Sequence, residues 1–262
     1  MKSTLKLTTY LYAVLTYSIL LFSTSVFAET FKETFDVKLG GQLVIETDVG
    51  SINIETHDQA TVEMRVKIEN RKGNKFSYRH ELIDGNLTVI GEIEHKQNWV
   101  RNLKVEFELL IPENYNVKLN TSGGSLSIED LTGDLNARTS GGSINVGNII
   151  GDVKLRTSGG SIKTDNISGD LNAHTSGGSI NVTIDKQLKD DAKLTTSGGS
   201  ITAYLMSDIQ IDIKASTSGG RVKSDFDIDG KVKKMSVKGS INGGGPKLTL
   251  NTSGGSIKIK EI

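Results

Sequence analysis

The chain of 262 residues has no cysteine, only two prolines and a single tryptophan. The absence of cysteine excludes a disulfide framework, a metal site built on thiolates and a lipidated N-terminal cysteine. After residue 120 the only aromatic residues are Tyr204 and Phe226. Any core in that part of the chain must therefore be thin and built from aliphatic side chains.

Neither positive nor negative charge dominates, since the chain contains 31 Lys and Arg residues and 31 Asp and Glu residues. Residues 1–28 hold Lys2, Lys6 and no acidic residue, so the remainder of the chain carries a small net negative charge. This balance gives no electrostatic support for nucleic acid or anionic lipid as a partner.

Residues 1–28 have the features of a cleaved secretory signal peptide. Lys2 and Lys6 precede an apolar stretch of 12 residues from Leu11 to Phe22, and Val26 and Ala28 stand where a signal peptidase requires small side chains. The stretch is shorter than the roughly 20 residues that span a bilayer. We expect export to the periplasm, the extracellular space or the cell surface. No later apolar run is long enough for a transmembrane segment.

A motif of the form TSGGSI occurs seven times after residue 120. Its threonines are Thr121, Thr139, Thr157, Thr175, Thr196, Thr217 and Thr252, at steps of 18, 18, 18, 21, 21 and 35 residues. A degenerate copy, SVKGSI from Ser236, divides the last step. A short fixed period indicates one supersecondary unit repeated along an axis.

Each unit contains two stretches in which apolar and polar residues alternate, which predicts two short strands. In GDLNART the alternation places Leu135 and Ala137 on one face, and in SINV it places Ile144 and Val146 on one face. A glycine pair joins the strands, as expected of turns that need left-handed backbone conformations. The predicted turn glycines are Gly123, Gly124, Gly141, Gly142, Gly159, Gly160, Gly177, Gly178, Gly198, Gly199, Gly219, Gly220, Gly254 and Gly255.

These observations predict an all-β protein in which residues 121–262 form a parallel β-solenoid of coils of about 18 residues. In-register stacking would align Ile144, Ile162 and Ile180 inside and place a column of threonine hydroxyls at the corner. An antiparallel β-sandwich is the alternative, because strands every 8 to 12 residues also suit that fold. Opposed strands would not, however, require the same residue at the same place in every unit.

Residues 29–120 are rich in predicted strands but lack the strict repeat. A degenerate motif occurs at Gly50-Ser51-Ile52, and Pro112 ends the last predicted strand before the repeats. We expect an irregular β-rich N-terminal region or cap, because an open sheet edge would invite aggregation. The two alternatives for this region are a separate domain and irregular opening coils of the solenoid.

The order of these elements carries a family resemblance. Gly40-Gly41, Gly50-Ser51-Ile52, the strand that ends at Pro112 and the later glycine pairs follow one another as in the "putative adhesin" family of bacterial β-strand-repeat proteins, a domain of unknown function, which the chain resembles after residue 28. The resemblance implies an exported, β-solenoid-like protein. It transfers no catalytic residue.

Two groups of side chains contain residue types that can bind metal ions. Asp134, Asp152 and Asp170 recur 18 residues apart, but the β-roll calcium pattern, with an aspartate just after the glycines, is missing. We expect turn residues whose side chains bond nearby backbone, with their charge offset by a neighbouring column of basic residues. That column is Arg138, Arg156 and His174. The four histidines share no ligand spacing, so neither a metal nor a cofactor is predicted.

The best candidate for partner contact is a basic cluster around the single tryptophan. Its residues are Arg71, Lys72, Lys75, Arg79, Lys96, Trp99 and Arg101, followed by Lys104. Such a cluster could bind an acidic glycan or an envelope or cell-surface protein. The alternative is two solvated loops with one anchoring aromatic side chain.

Three functions of different classes remain. The first is an exported adhesion or binding module, and the second is a periplasmic structural scaffold. The third, a carbohydrate-active enzyme, is not expected, because no serine lies in a nucleophile-elbow motif and the repeat exposes mainly Asn, Lys, Thr and Ser.

Overall fold

The computed structural model describes residues 27–70, 75–94 and 103–262, and these ranges contain strands, turns and loops but no helix. The first strands are β1 (Phe27–Asp36), β2 (Gln42–Thr47), β3 (Ser51–His57), β4 (Thr61–Asn70), β5 (Lys75–Ile83), β6 (Asn86–Glu94) and β7 (Leu103–Pro112). The next are β8 (Asn116–Thr121), β9 (Leu126–Ile128), β10 (Leu131–Thr132), β11 (Leu135–Thr139), β12 (Ile144–Val146), β13 (Ile149–Ile150), β14 (Val153–Thr157), β15 (Ile162–Ser168), β16 (Leu171–Thr175), β17 (Ile180–Ile184), β18 (Ala192–Thr196) and β19 (Ile201–Leu205). The last are β20 (Ile211–Thr217), β21 (Val222–Ser224), β22 (Asp229–Lys233), β23 (Ser236–Ile241), β24 (Lys247–Thr252) and β25 (Ile257–Glu261).

The strands form two long sheets that enclose one continuous apolar core. The first sheet has the order β1-β4-β7-β3-β9-β12-β15-β17-β19-β25-β21, and the second has β22-β23-β20-β24-β18-β16-β14-β11-β8-β2-β6-β5. We call a coil one strand of the second sheet with the strand of the first sheet that follows it in the chain. Successive coils of the repeat pair in parallel, which confirms the predicted solenoid and makes the sandwich alternative wrong.

The predicted apolar column lies in register inside the solenoid. Ile162 pairs with Ile144 on one side and with Ile180 on the other, and all three side chains are fully buried. Parallel strands stack about 4.8 Å apart, so identical side chains can pack in one rotamer along the column. The aliphatic content of the repeat therefore follows from the narrow space between the two sheets.

At both ends of the stack, the order in which the coils are stacked differs from their order along the chain. The coil β6/β7 lies outside β2/β3, which itself pairs with β8/β9, so the chain passes over an earlier coil before the regular repeats begin. At the other end β24/β25 lies between β18/β19 and β20/β21. Only from β8/β9 to β18/β19 is each coil the neighbour of the next coil in the chain, as the repeat period predicts.

A third, much smaller ladder widens the middle coils. β10 pairs with β13, and β13 pairs with the end of β15, all in parallel. Leu131, Ile149 and Ile167 point inward from this ladder and are buried. The middle coils therefore have three short sides where the sequence pattern predicted two strands.

The N-terminal end of the stack is closed by antiparallel strands. In the first sheet β4 and then β1 add to β7, while in the second sheet β5 returns along β6 as a hairpin. Phe31 contacts Tyr78 edge to face with ring centroids 5.7 Å apart, and Phe35 contacts His80 at 4.8 Å. Aromatic side chains thus cover the end that aliphatic residues alone would leave open.

The degenerate motif SVKGSI does not form a coil, contrary to the expectation from its spacing. Residues Ser236–Ile241 form β23, which runs antiparallel to β20 and carries the outer hairpin strand β22. Every residue of β22 is exposed, and Lys231 and Lys233 lie on it. Lysines on an outer strand oppose pairing with another chain.

Candidate binding surface

Each TSGG segment, which we call a threonine corner, fastens one coil to the next. The Thr157 hydroxyl donates a hydrogen bond to the Gly142 carbonyl of the preceding coil at 2.7 Å, and the Gly160 amide donates to the same hydroxyl at 3.3 Å. Thr157 is buried, so its hydroxyl needs these partners. The same donor bond is made by Thr139, Thr175, Thr196, Thr217 and Thr252 at 2.6 to 2.8 Å.

The two glycines of a corner are required to different degrees. A Cβ on Gly142 would lie 2.0 Å from the Gly124 carbonyl oxygen, which no side chain permits, whereas a Cβ on Gly141 would lie 3.9 Å from the nearest atom. Neither glycine has a left-handed backbone. The second glycine is therefore dictated by the close approach of stacked backbones, and the predicted reason, a left-handed turn, is wrong at this corner.

Exposed polar side chains add a second set of bonds between coils. The Ser161 amide donates to the Ser143 hydroxyl at 3.2 Å, and Asp152 donates its amide to the Asp134 carboxylate at 3.0 Å. Asp152 in turn accepts the amide of Asp170 at 3.1 Å. These carboxylates thus bond backbone, although the backbone belongs to the next coil and not to their own turn.

We call Asp134, Asp152, Asp170 and Asp191 the aspartate column. Partial desolvation and then the charges of Asp190, Asp152 and Asp191 raise the pKa of Asp170 above its usual value. No carboxylate of the column lies within ion-pair distance of Arg138 or Arg156 among the described residues, so the predicted charge offset is not formed. Within the same ranges no group of three or more His, Cys, Asp or Glu side chains is arranged to hold a metal ion.

The outer face of the second sheet carries a group of basic side chains that form no ion pair among the described residues. We call it the cationic strip: Arg138, Lys154, Arg156, His174 and Lys193. Register places Arg156 between Arg138 and His174, and an asparagine between Lys154 and Lys193. Of the strip only His174 is part-buried, and the outward residues of these four strands include no acid. The 18-residue period combined with strand alternation would have revealed this shared face.

On the middle coils, the outer face of the first sheet is polar but mostly uncharged. Ser127, Asn145, Lys163, Asn181 and Thr202 lie in register on successive coils. The repeat therefore presents two flat faces of different character, one rich in amides and hydroxyls and one rich in cations.

Acidic residues gather in a cleft at the N-terminal end, lined by Glu33, Glu55, Glu63 and Glu108. A hydrogen bond from Lys67, followed by the charges of Lys67 and Arg65, lowers the pKa of Glu108 despite partial burial. The Arg65 guanidinium lies 3.3 Å from the same carboxylate. A carboxyl held ionised in this way is a poor proton donor. A glycosidase requires a carboxylic acid that donates a proton to the leaving group.

Most of the predicted basic cluster lies outside the described residues, namely Arg71, Lys72, Lys96, Trp99 and Arg101. Lys75 begins β5, and Arg79 lies on the same strand. The Arg79 guanidinium donates to Glu92 of β6 at 2.7 Å, with both side chains more than half exposed. This pair spans the terminal hairpin, and the cluster stays a prediction.

Comparison with known families bears on the C-terminal part of the solenoid. Residues 150–260 match the family described as Toastrack DUF4097. The Toastrack match begins at β13 and includes the coils β14/β15 to β24/β25 and the hairpin of β22 and β23. It confirms the resemblance to a domain of unknown function for this region.

Several solved structures are similar to the chain. A "putative cell adhesion protein" from Clostridium sporogenes is 17% identical with a TM-score of 0.42, over 89% of this chain and 100% of that one. A "putative adhesin" from Bacteroides fragilis is 13% identical with a TM-score of 0.44, over 89% and 97%. No protein of curated function matches the chain. In the described ranges no helix is long and apolar enough to cross a membrane.

Proposed function

We propose that the protein is an exported, non-catalytic binding module whose flat sheet faces contact a polymer with a repeating structure, in the first instance a surface glycan. The observation that carries this proposal is the in-register repetition of outward polar side chains, such as Asn145, Lys163 and Asn181, on successive coils. Contacts repeated about every 4.8 Å suit a ligand that itself repeats. Export rests on the predicted signal peptide over residues 1–28.

A periplasmic scaffold is the second candidate. The single core that runs from Phe35 to Ile259 supports it, because a stack with one uninterrupted core and bonded corners makes a rigid spacer. In this function the polar faces contact envelope proteins, and the basic cluster around Trp99 is a contact point.

Protease accessibility separates the two candidates. The epitope-tagged protein is treated with protease in intact cells and in cells whose outer membrane has been opened. Digestion in intact cells, followed by binding of the purified chain to a glycan array, is the result expected of the surface module. Protection until the membrane is opened would overturn the surface location and favour the scaffold.

A further inference from the structure

The cationic strip is a stack of like charges that forms no ion pair with any acidic side chain in the described part of the chain. Arg138 and Arg156 occupy directly paired positions on β11 and β14, about 4.8 Å apart at the backbone. No ion pair of Arg138, Lys154, Arg156 or Lys193 occurs within the described ranges, although seven other basic side chains have one there. Like charges at directly paired positions destabilise a sheet.

The aspartate column does not neutralise the two arginines of the strip. Asp152 precedes Arg156 by four residues, and four residues of strand span about 13 Å. At physiological ionic strength the Debye length is about 8 Å, so most of the attraction across that distance is screened. The arginines at the threonine corners therefore remain available to an external anion.

The chemistry of the strip defines the class of ligand. Arginine presents a planar fork that binds carboxylate or sulfate through two hydrogen bonds. Asn136, Asn172 and Thr195 lie between the cations on the same face and offer partners for hydroxyl groups. No outward residue of the strip's four strands is aliphatic, Phe, Tyr or Trp, whereas protein interfaces are usually centred on such an anchor.

We propose that the cationic strip is a binding site for an anionic polysaccharide, a carbohydrate chain bearing carboxylate or sulfate groups along its length. This inference rests on the proposed function and names its ligand class and its face. The four strands from β11 to β18 span about 14 Å across the stack, enough for several sugar units in an extended chain. The balanced charge of the whole sequence conceals this local excess.

The test measures binding of the full chain to immobilised polygalacturonate, which carries one carboxylate on each sugar, with dextran as the uncharged polymer. We expect binding to polygalacturonate and none to dextran. Raising the salt from 0.01 M to 0.15 M should weaken it, because the Debye length falls from about 30 Å to about 8 Å. The double variant Arg138→Gln/Arg156→Gln should bind about tenfold more weakly.

The matched control is Lys223→Gln/Lys258→Gln, which removes two paired, exposed cations from the first sheet. It should bind polygalacturonate like the wild type. A second readout uses the repulsion itself: without ligand, Arg156→Gln should melt about 1–3 °C higher than the wild type, because one like-charge contact is removed. A merely structural role for Arg156 would lower the melting temperature.

The inference is overturned if the strip variant binds polygalacturonate as tightly as the wild type. It is equally overturned if the control variant loses as much affinity for polygalacturonate as the strip variant does. It is also overturned if polyglutamate binds as tightly as polygalacturonate, because the strip then recognises any polyanion. If the chain binds neutral glycans and the strip variant binds them equally well, the strip is not the binding site, and the proposed function still stands. Failure to bind any carbohydrate on the array would overturn both.

Discussion

The carboxylate of Glu33 accepts a hydrogen bond from the Tyr78 hydroxyl at 2.7 Å, and this bond joins the outermost strand of one sheet to the outermost strand of the other. The second oxygen of Glu33 lies 3.2 Å from Nδ1 of His80. Desolvation by burial and then the bond to Glu33 raise the pKa of Tyr78 above its usual range. One side chain thus links the two sheets where the solenoid begins.

This link predicts a loss of stability at high pH. An unfolded chain releases the tyrosine proton near pH 10, whereas folded Tyr78 keeps it to higher pH. The folded state therefore binds more protons above pH 10, and its stability must fall as the pH rises through that region. Urea unfolding between pH 9 and 11 should show a smaller decline for Tyr78→Phe than for the wild type. Equal declines would show that Tyr78 is not coupled to folding.

The same substitution should have opposite effects at two buried threonines. Thr157→Val removes a hydroxyl that serves as donor and acceptor at a corner, and leaves the Gly142 carbonyl without that bond. We expect a loss of about 2 kcal/mol. Thr164 is also buried, but its hydroxyl has no partner among the residues the structure describes.

Thr164→Val should therefore raise the free energy of unfolding by about 1 kcal/mol, since it removes an unsatisfied polar atom and keeps the branched shape. Urea midpoints of both variants provide the measurement. If both variants were destabilised, the Thr164 hydroxyl would have to make a hydrogen bond in the folded chain, contrary to this prediction.

Alanine substitutions at one corner should separate the roles of the two glycines. Gly142→Ala forces a Cβ against the Gly124 carbonyl, so the stack must open locally, and we expect a loss of at least about 3 kcal/mol. Gly141→Ala has free space and should change stability by less than about 1 kcal/mol. Comparable losses in thermal unfolding would contradict the close approach of the coils.

A charge placed in the apolar column should prevent folding of the repeat. Ile162→Asp buries an ion between Ile144 and Ile180, at a cost comparable with the whole stability of a domain. Ile150→Asp is the control, because Ile150 is 60% exposed. Circular dichroism should show a cooperative transition for the control and none for the Ile162 variant. A normal transition for the latter would refute the register.

Local patterns predicted the middle of the molecule well, because every coil there repeats the contacts of its neighbour. The strand positions, the Ile162 column and the threonine corners all follow from an 18-residue period combined with alternation. The position of β24/β25 between two earlier coils does not follow, since the choice between adjacent partners depends on how the ends pack. The aspartate and arginine columns were both visible in the sequence. The predicted charge offset between them fails because each aspartate precedes its arginine by four residues of strand, which is about 13 Å.

The exchange of coil order at both ends limits how such a protein can grow. Duplication of one 18-residue unit adds a coil without disturbance only between β8/β9 and β18/β19, where chain order and stacking order agree. A duplicated unit at either end would have to separate strands that are already paired with segments distant in the chain. Length variation among proteins of this architecture should therefore arise from the centre of the stack, while its two ends are inherited as fixed pieces.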